Sequence, residues 1–81
     1  MIEFDATNIM GKHQIPFVEL EHWLYNNIGP GGRWLKTLWN TGVELEPESG
    51  DAWGVHSSRL GDTMISIVDE KKAVLFALRW L

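Results

Sequence analysis

The clearest pattern of apolar and polar positions lies at the C-terminal end, over residues 63–81. Residues 64–68 are mostly apolar and rich in β-branched side chains, which is typical of a strand covered on at least one face. Asp69 follows, and its carboxylate predicts the N-cap of a helix that begins at Glu70. Apolar residues then recur at helical spacing: Ala73, Phe76, Ala77 and Trp80.

A second apolar stripe runs beside the first on this closing helix and consists of Val74, Leu78 and Leu81. One stripe is enough for a helix that packs on a single surface. The two stripes together therefore predict that the closing helix lies between the sheet and another element. Phe76 and Trp80 are expected to be largely buried.

Earlier in the chain, the pattern predicts a first helix and two further strands. Pro16 is suited to a helix start, apolar residues follow at helical spacing, and Gly29-Pro30 end the helix. Residues 33–39 fit either a strand or a short helix, and their length and flanking glycines favour the strand. Residues 52–56 predict another strand.

The resulting order is helix, three strands and helix, with short connections that favour antiparallel neighbours. We therefore predict one small α+β domain over residues 1–81, in which a helix, a three-stranded antiparallel sheet and a second helix follow one another. Both helices are placed on one sheet face. Residues 43–51 carry four acids and are expected to form an acidic loop or a hairpin excursion. Residues 1–15 give the weakest pattern, in which a short edge strand at 2–5 and partial disorder are the alternatives.

Composition narrows the classes of function. The chain of 81 residues has no cysteine, which excludes disulfides and cysteine-based zinc sites. Its net charge of −4 is unlike the basic surface of a nonspecific nucleic-acid binder. No signal-peptide pattern and no long apolar run are present. We expect a cytoplasmic protein that contacts neither nucleic acid nor a membrane.

Candidate chemistry is sparse. The glycines at 29–32 follow a helix, whereas a phosphate-binding loop leads into one, so a helix C-cap and turn explains them better. His13, His22 and His56 lie in three different elements and predict no metal site. Ser57 is adjacent to His56 on a strand, and adjacent strand residues point to opposite faces. We therefore expect no enzyme and no cofactor.

The five tryptophans are the most informative excess in the composition. Three of them lie on predicted strands, and a sheet with helices on one side leaves its other face open. Exposed tryptophans flanked by basic residues have the composition of a protein-interaction hot spot. The alternative is that they fill the core of a small protein. The predicted partner-binding residues are Arg33, Trp34, Lys36, Trp39 and Trp53.

The ending IVDEKKAVLFALRWL resembles the C-terminus of small proteins encoded by tailed bacteriophages. In these proteins a strand leads into an acidic turn, then Lys-x-Ala, then Phe-x-Leu-x-Trp. A second, looser similarity is a helix that ends in Ile28-Gly29 before Gly32-Arg33-Trp34. The resemblance implies a host-cell cytoplasm and brings no activity. The matching positions of the ending are Asp69, Glu70, Lys71, Ala73, Phe76, Leu78 and Trp80.

These observations lead to one main expectation and two alternatives. The main expectation is a noncatalytic protein-interaction module, a phage accessory protein that binds and modulates a host or phage protein. The first alternative is a self-assembling or virion-associated structural protein, because Leu75 or Leu81 of the closing helix would stay exposed in a monomer. The second is a small enzyme or nucleotide-binding protein.

Overall fold

The computed structural model describes residues 2–33, 35–39, 42–46, 50–58 and 60–81. These residues form a small α+β domain, so the predicted fold class is confirmed. The elements in chain order are β1 (Ile2–Asp5), α1 (Ala6–His13), α2 (Phe17–Asn27), β2 (Gly31–Arg33), β3 (Leu35–Trp39), β4 (Gly42–Glu46), β5 (Trp53–Ser57), β6 (Thr63–Ile67) and α3 (Glu70–Trp80).

The main sheet is mixed and has four strands in the order β1-β6-β5-β2. Strand β6 pairs antiparallel with β1 and β5, whereas β2 pairs in parallel with β5. The predicted three-stranded antiparallel sheet is therefore wrong. The physical reason lies between β2 and β5, because a parallel pair needs a connection of about a dozen residues or more. The β3–β4 hairpin stands in that connection and makes it long enough.

The strand predicted at 33–39 is divided between two sheets. Strand β2 ends at Arg33 in the main sheet, whereas β3 pairs antiparallel with β4 in a separate two-stranded sheet. The acidic segment at 43–51 therefore begins as a strand, which agrees with the hairpin alternative. Residues 47–49 lie outside the described part of the chain.

Helix α1 is an element that the sequence did not predict, although the strand before it, β1, is confirmed. Asp5 caps α1, because its carboxylate accepts a hydrogen bond from the Asn8 backbone N–H at 3.1 Å. Ala6 and Ile9 are buried in the core. Asn8 and Gly11 have low helix propensity. Tertiary burial of the apolar side of the helix offsets that propensity.

Helices α2 and α3 begin and end close to their predicted limits. Pro16 is the N-cap of α2, and Gly29, with φ of 139°, follows its C-terminal end in a backbone conformation that favours glycine. Asp69 caps α3 by accepting hydrogen bonds from the backbone N–H groups of Lys71 and Lys72, at 2.7 and 3.3 Å. The predicted N-cap is therefore confirmed.

All three helices pack on one face of the main sheet. Strand alternation places Trp53, Ile65 and Ile67 on this face, and all three side chains are buried. The helices and their ends supply the rest of the core: Ala6, Ile9, Leu20, Leu24, Ile28, Ala73, Phe76 and Trp80.

Three residues of the first apolar stripe of α3 are buried as predicted, Ala73, Phe76 and Trp80, and Ala77 is partly buried, whereas the second stripe is exposed. Val74, Leu78 and Leu81 are exposed. The prediction that α3 lies between the sheet and another element is therefore wrong in the described part of the structure. The apolar spacing did identify side chains able to be buried, but a second covering element does not follow from spacing.

Candidate functional site

Of the predicted partner-binding residues, the structure describes an exposed side chain for Arg33, at the end of β2. Lys36 and Trp39 belong to β3, and their side chains lie outside the described part of the structure. Trp34 also lies outside the described residues. The described part of the structure therefore shows no cluster of these residues.

Trp53 is a core residue, which agrees with the alternative that the tryptophans fill the core of a small protein. Its side chain is 1% exposed, and its pairing with Ile67 places it on the helix-covered face. The indole Nε1–H donates to the Gly29 carbonyl at 2.9 Å, and the Tyr25 ring packs edge-on at 5.3 Å between ring centroids. A Cβ at Gly31 would overlap the indole. The prediction that Trp53 is exposed for binding is wrong, because its strand register turns it inward.

The opposite face of the sheet carries a polar cluster from three adjacent strands, formed by Glu3, His56 and Ser66. His56 Nε2 lies 3.1 Å from Ser66 Oγ and 3.7 Å from Glu3 Oε1. His56 and Ser66 are buried, whereas the Glu3 side chain is half exposed. The cluster links β1, β5 and β6 on this face.

Within the described residues, Glu3, His56 and Ser66 are not arranged as a Ser–His–carboxylate relay. In such a relay the serine contacts one imidazole nitrogen and the carboxylate contacts the other. Here both Ser66 and Glu3 approach the same nitrogen of His56. A carboxylate beside Nε2 favours a proton there, whereas a base for serine needs that nitrogen unprotonated. Ser66 is also fully buried, which keeps a substrate from its hydroxyl. The arrangement is suited to joining strands.

A large apolar surface lies on the side of α3 that faces away from the core. We call it the outer face of α3, and it consists of Val74, Leu75, Leu78 and Leu81. Leu78 is 80% exposed, and the other three side chains are between 51% and 64% exposed. Contiguous exposed apolar surface on a soluble domain commonly marks an interaction site. The outer face of α3 is therefore the first part of the candidate site.

A groove of about 440 Å³ adjoins this face, between α3 and the edge strand β1. Strand alternation directs Ile2 and Phe4 toward it from β1. Ala73 and Ala77, one helical turn apart on α3, leave room between the two elements because their side chains end at Cβ. We call this feature the α3–β1 groove, and its lining residues are Ile2, Phe4, Glu70, Ala73, Val74 and Ala77.

The groove and the outer face share Val74, so they form one continuous surface. Phe4 closes the groove from below by packing on Phe76, with 4.6 Å between ring centroids. Among the described residues that line the groove, only Glu70 is charged. The combined surface is thus mostly apolar and open to solvent, with the exposed Glu70 and Lys71 at the N-terminal end of α3.

The described residues contain no group of three or more histidine, cysteine, aspartate or glutamate side chains placed to hold a metal ion. Within the same ranges, none of the helices has the length and apolar character needed to cross a bilayer.

The sequence carried part of the signal for this site. The second stripe of α3 and the alternation at 2–5 identified the side chains that now line it. The sequence did not show that β1 and α3 are neighbours. They are brought together because β1 pairs with β6, the strand that leads into α3, and this pairing joins residues about 65 positions apart (Ile2 with Ile67). The contact of Ser66 with His56 depends on the register between the adjacent strands β5 and β6, which the sequence pattern did not predict.

No known protein family, curated protein sequence or solved structure matches this chain.

Proposed function

We propose that the chain is a noncatalytic protein-interaction module that binds a partner protein through the outer face of α3 and the α3–β1 groove. The observation that carries the proposal is the exposed apolar surface of α3, in which Leu78 is 80% exposed. Fully burying a leucine or valine side chain contributes about 1.5–3 kcal/mol. The fold gains only part of that free energy from these side chains, and a complex that covers them would gain the remainder.

The phage-like ending supports the same proposal. Most of its residues have structural roles, since Phe76 and Trp80 are buried and Asp69 caps α3. Leu78 is the exception among the apolar residues of the ending, because its side chain is 80% exposed and contributes little to the core. We therefore infer a phage accessory protein in the host-cell cytoplasm that binds and modulates a host or phage protein.

Affinity purification of the tagged chain from bacterial lysate, followed by mass spectrometry, tests this proposal. The wild-type chain is expected to retain a protein that the Leu78→Glu variant loses. Val18→Glu is a matched control, because Val18 is also exposed but lies on α2. A partner retained equally by all three chains, or no partner above background in several bacterial hosts, would contradict the proposal.

Self-assembly is the second candidate function, favoured by the exposure of Leu75 and Leu81 in the single chain. Two outer faces of α3 could pack against each other, as apolar helix faces do. Light scattering at high protein concentration distinguishes the two candidates. A monomer excludes self-assembly, whereas a dimer that Leu78→Glu converts to monomer would support it over a heterologous partner.

A further inference from the structure

The α3–β1 groove lies beside an unpaired sheet edge. Strand β1 ends the main sheet and pairs with β6 alone among the described strands. An edge strand presents backbone N–H and C=O groups to whatever lies beside it. A protein segment can use such an edge by adding one more strand, and this mode of recognition usually couples main-chain hydrogen bonds to pockets for alternate side chains.

The groove supplies such pockets on one side of the edge. A strand added to β1 would point every second side chain toward α3. Those side chains would meet an apolar lining, formed by Ile2 and Phe4 from below and by Val74 and Ala77 from α3. Alternate residues of the added strand should therefore be apolar.

The other side of the edge is acidic. Glu3 and Asp5 alternate with Ile2 and Phe4, so both residues take the register of the opposite sheet face, and both are exposed. One carboxylate oxygen of Asp5 also accepts the capping hydrogen bond from the Asn8 backbone N–H. Glu3 is also 3.7 Å from His56 Nε2. Residues of an added strand that lie directly opposite these acids are stabilised when they carry the opposite charge. The remaining alternate residues should therefore be lysine or arginine.

The same charges disfavour a second copy of this chain at the edge. An antiparallel pair of β1 strands with helices on one common face must place residues of the same face opposite each other. Glu3 then lies opposite either Glu3 or Asp5 of the other copy. Like charges directly opposite in a sheet are destabilising. The edge therefore suits a different protein with complementary charge.

We propose that the α3–β1 groove binds an extended segment of a partner protein as a fifth strand on β1, with apolar residues in the groove and Lys or Arg residues opposite Glu3 and Asp5. The proposal rests on the interaction function above and names its partner chemistry. Strand addition requires main-chain hydrogen bonds to β1, whereas binding at the outer face of α3 alone requires only contacts with its side chains.

A fluorescein-labelled peptide of alternating Lys and Val residues tests this proposal by fluorescence anisotropy with the full chain. Saturable binding is expected, weakening as salt is added. A peptide of alternating Glu and Val is expected to bind roughly tenfold more weakly or worse, because it repeats like charges opposite β1. Equal binding of the two peptides would overturn the charge assignment.

Backbone N-methylation of the peptide tests strand addition itself. In an extended strand the N–H groups of alternate residues point to opposite edges. Methylating all internal Val nitrogens or all internal Lys nitrogens should therefore weaken binding by roughly tenfold in one peptide and little in the other. Loss with both peptides, or with neither, would overturn the proposal.

Two protein variants locate the site. Val74→Glu places a carboxylate in the groove. We expect this variant to bind the Lys/Val peptide more weakly, because the apolar side chains of the peptide enter the groove. Val18→Glu adds the same charge on α2 and should leave binding unchanged. A Val74→Glu chain that binds as well as Val18→Glu would overturn the proposal. A concentration-dependent dimer that Val74→Glu abolishes would also overturn it, because a second copy would then cover Val74, which the groove shares with the outer face of α3.

The interaction module and strand addition on β1 can be contradicted by different results. A lysate partner that is lost on Leu78→Glu but kept on Val74→Glu overturns strand addition and retains the interaction module. Absence of any partner, together with absence of peptide binding, overturns both.

Discussion

The two sides of α3 are made of similar side chains in opposite surroundings. On the inner side, Ala73, Phe76 and Trp80 are buried against the sheet and the other helices. On the outer side, Val74 and Leu78 are exposed. The difference shows that apolar spacing reports which side chains can be buried, and that it does not report whether anything buries them.

The inner side is also fixed by polar contacts at both ends of the helix. Lys72 Nζ donates to the Ile28 carbonyl at 3.0 Å, which ties the first turn of α3 to the end of α2. His13 Nε2 lies 2.8 Å from the Trp80 carbonyl oxygen. Because that oxygen can only accept, this nitrogen carries the proton. These contacts tie α3 to the rest of the domain near both of its ends.

The largest expected effect contrasts one residue from each side of α3. Phe76→Ala removes a fully buried ring and should lower the free energy of unfolding by about 3–5 kcal/mol. Leu78→Ala should change it by less than about 0.5 kcal/mol, since little burial is lost. Urea unfolding followed by circular dichroism measures both. Similar costs for the two variants would mean that α3 is oriented differently.

The sheet offers the same contrast at two adjacent glycines. A Cβ at Gly31 would overlap the Trp53 indole, whereas one at Gly32 meets no atom within 4 Å. Gly31→Ala should therefore cost about 1–3 kcal/mol, through overpacking of the core. Gly32→Ala should stay within about 0.5 kcal/mol of the wild type. Thermal unfolding of the two variants decides this, and a reversed order would show that Trp53 lies elsewhere.

A smaller effect is expected at the N-cap of α3. Asp69→Ala removes the acceptor for the Lys71 and Lys72 backbone N–H groups and should cost about 1 kcal/mol. Asp69→Asn keeps an acceptor oxygen and is the matched control, with a much smaller cost expected. Chemical denaturation resolves the difference. Equal destabilisation by the two substitutions would indicate a role for the charge in place of the cap.

The smallest expected effect is at Arg79, on the exposed side near the end of α3. Its guanidinium carbon lies 4.1 Å from the centroid of the Trp80 ring. A cation–π contact at an exposed site contributes about 0.5–1 kcal/mol. Arg79→Ala should therefore cost under about 1 kcal/mol, and Arg79→Lys less. A loss as large as that of Phe76→Ala would show that the outer side of α3 also supports the fold.

Local signals predicted the parts of the fold that depend on neighbouring residues. The cap at Asp69, the helix end at Gly29 and the buried positions Phe76 and Trp80 all follow from short-range spacing and backbone chemistry. They required no knowledge of the rest of the chain.

The long-range pairings could not be predicted in the same way. The parallel pairing of β2 with β5 needs a long connection, and the prediction shortened that connection by assigning residues 33–39 to a single strand. Helix α1 was missed because the burial of Ala6 and Ile9, and not propensity, stabilises it. The candidate site joins β1 to α3 and shares this long-range origin.

Amide hydrogen exchange of β1, measured by NMR with and without the Lys/Val peptide, tests the central claim most directly. If the peptide adds a strand, the outward-facing amides of β1 should exchange more slowly when it is bound, while those of α2 keep their rates. Unchanged β1 exchange at saturating peptide, or protection confined to the outer face of α3, would contradict strand addition at this edge.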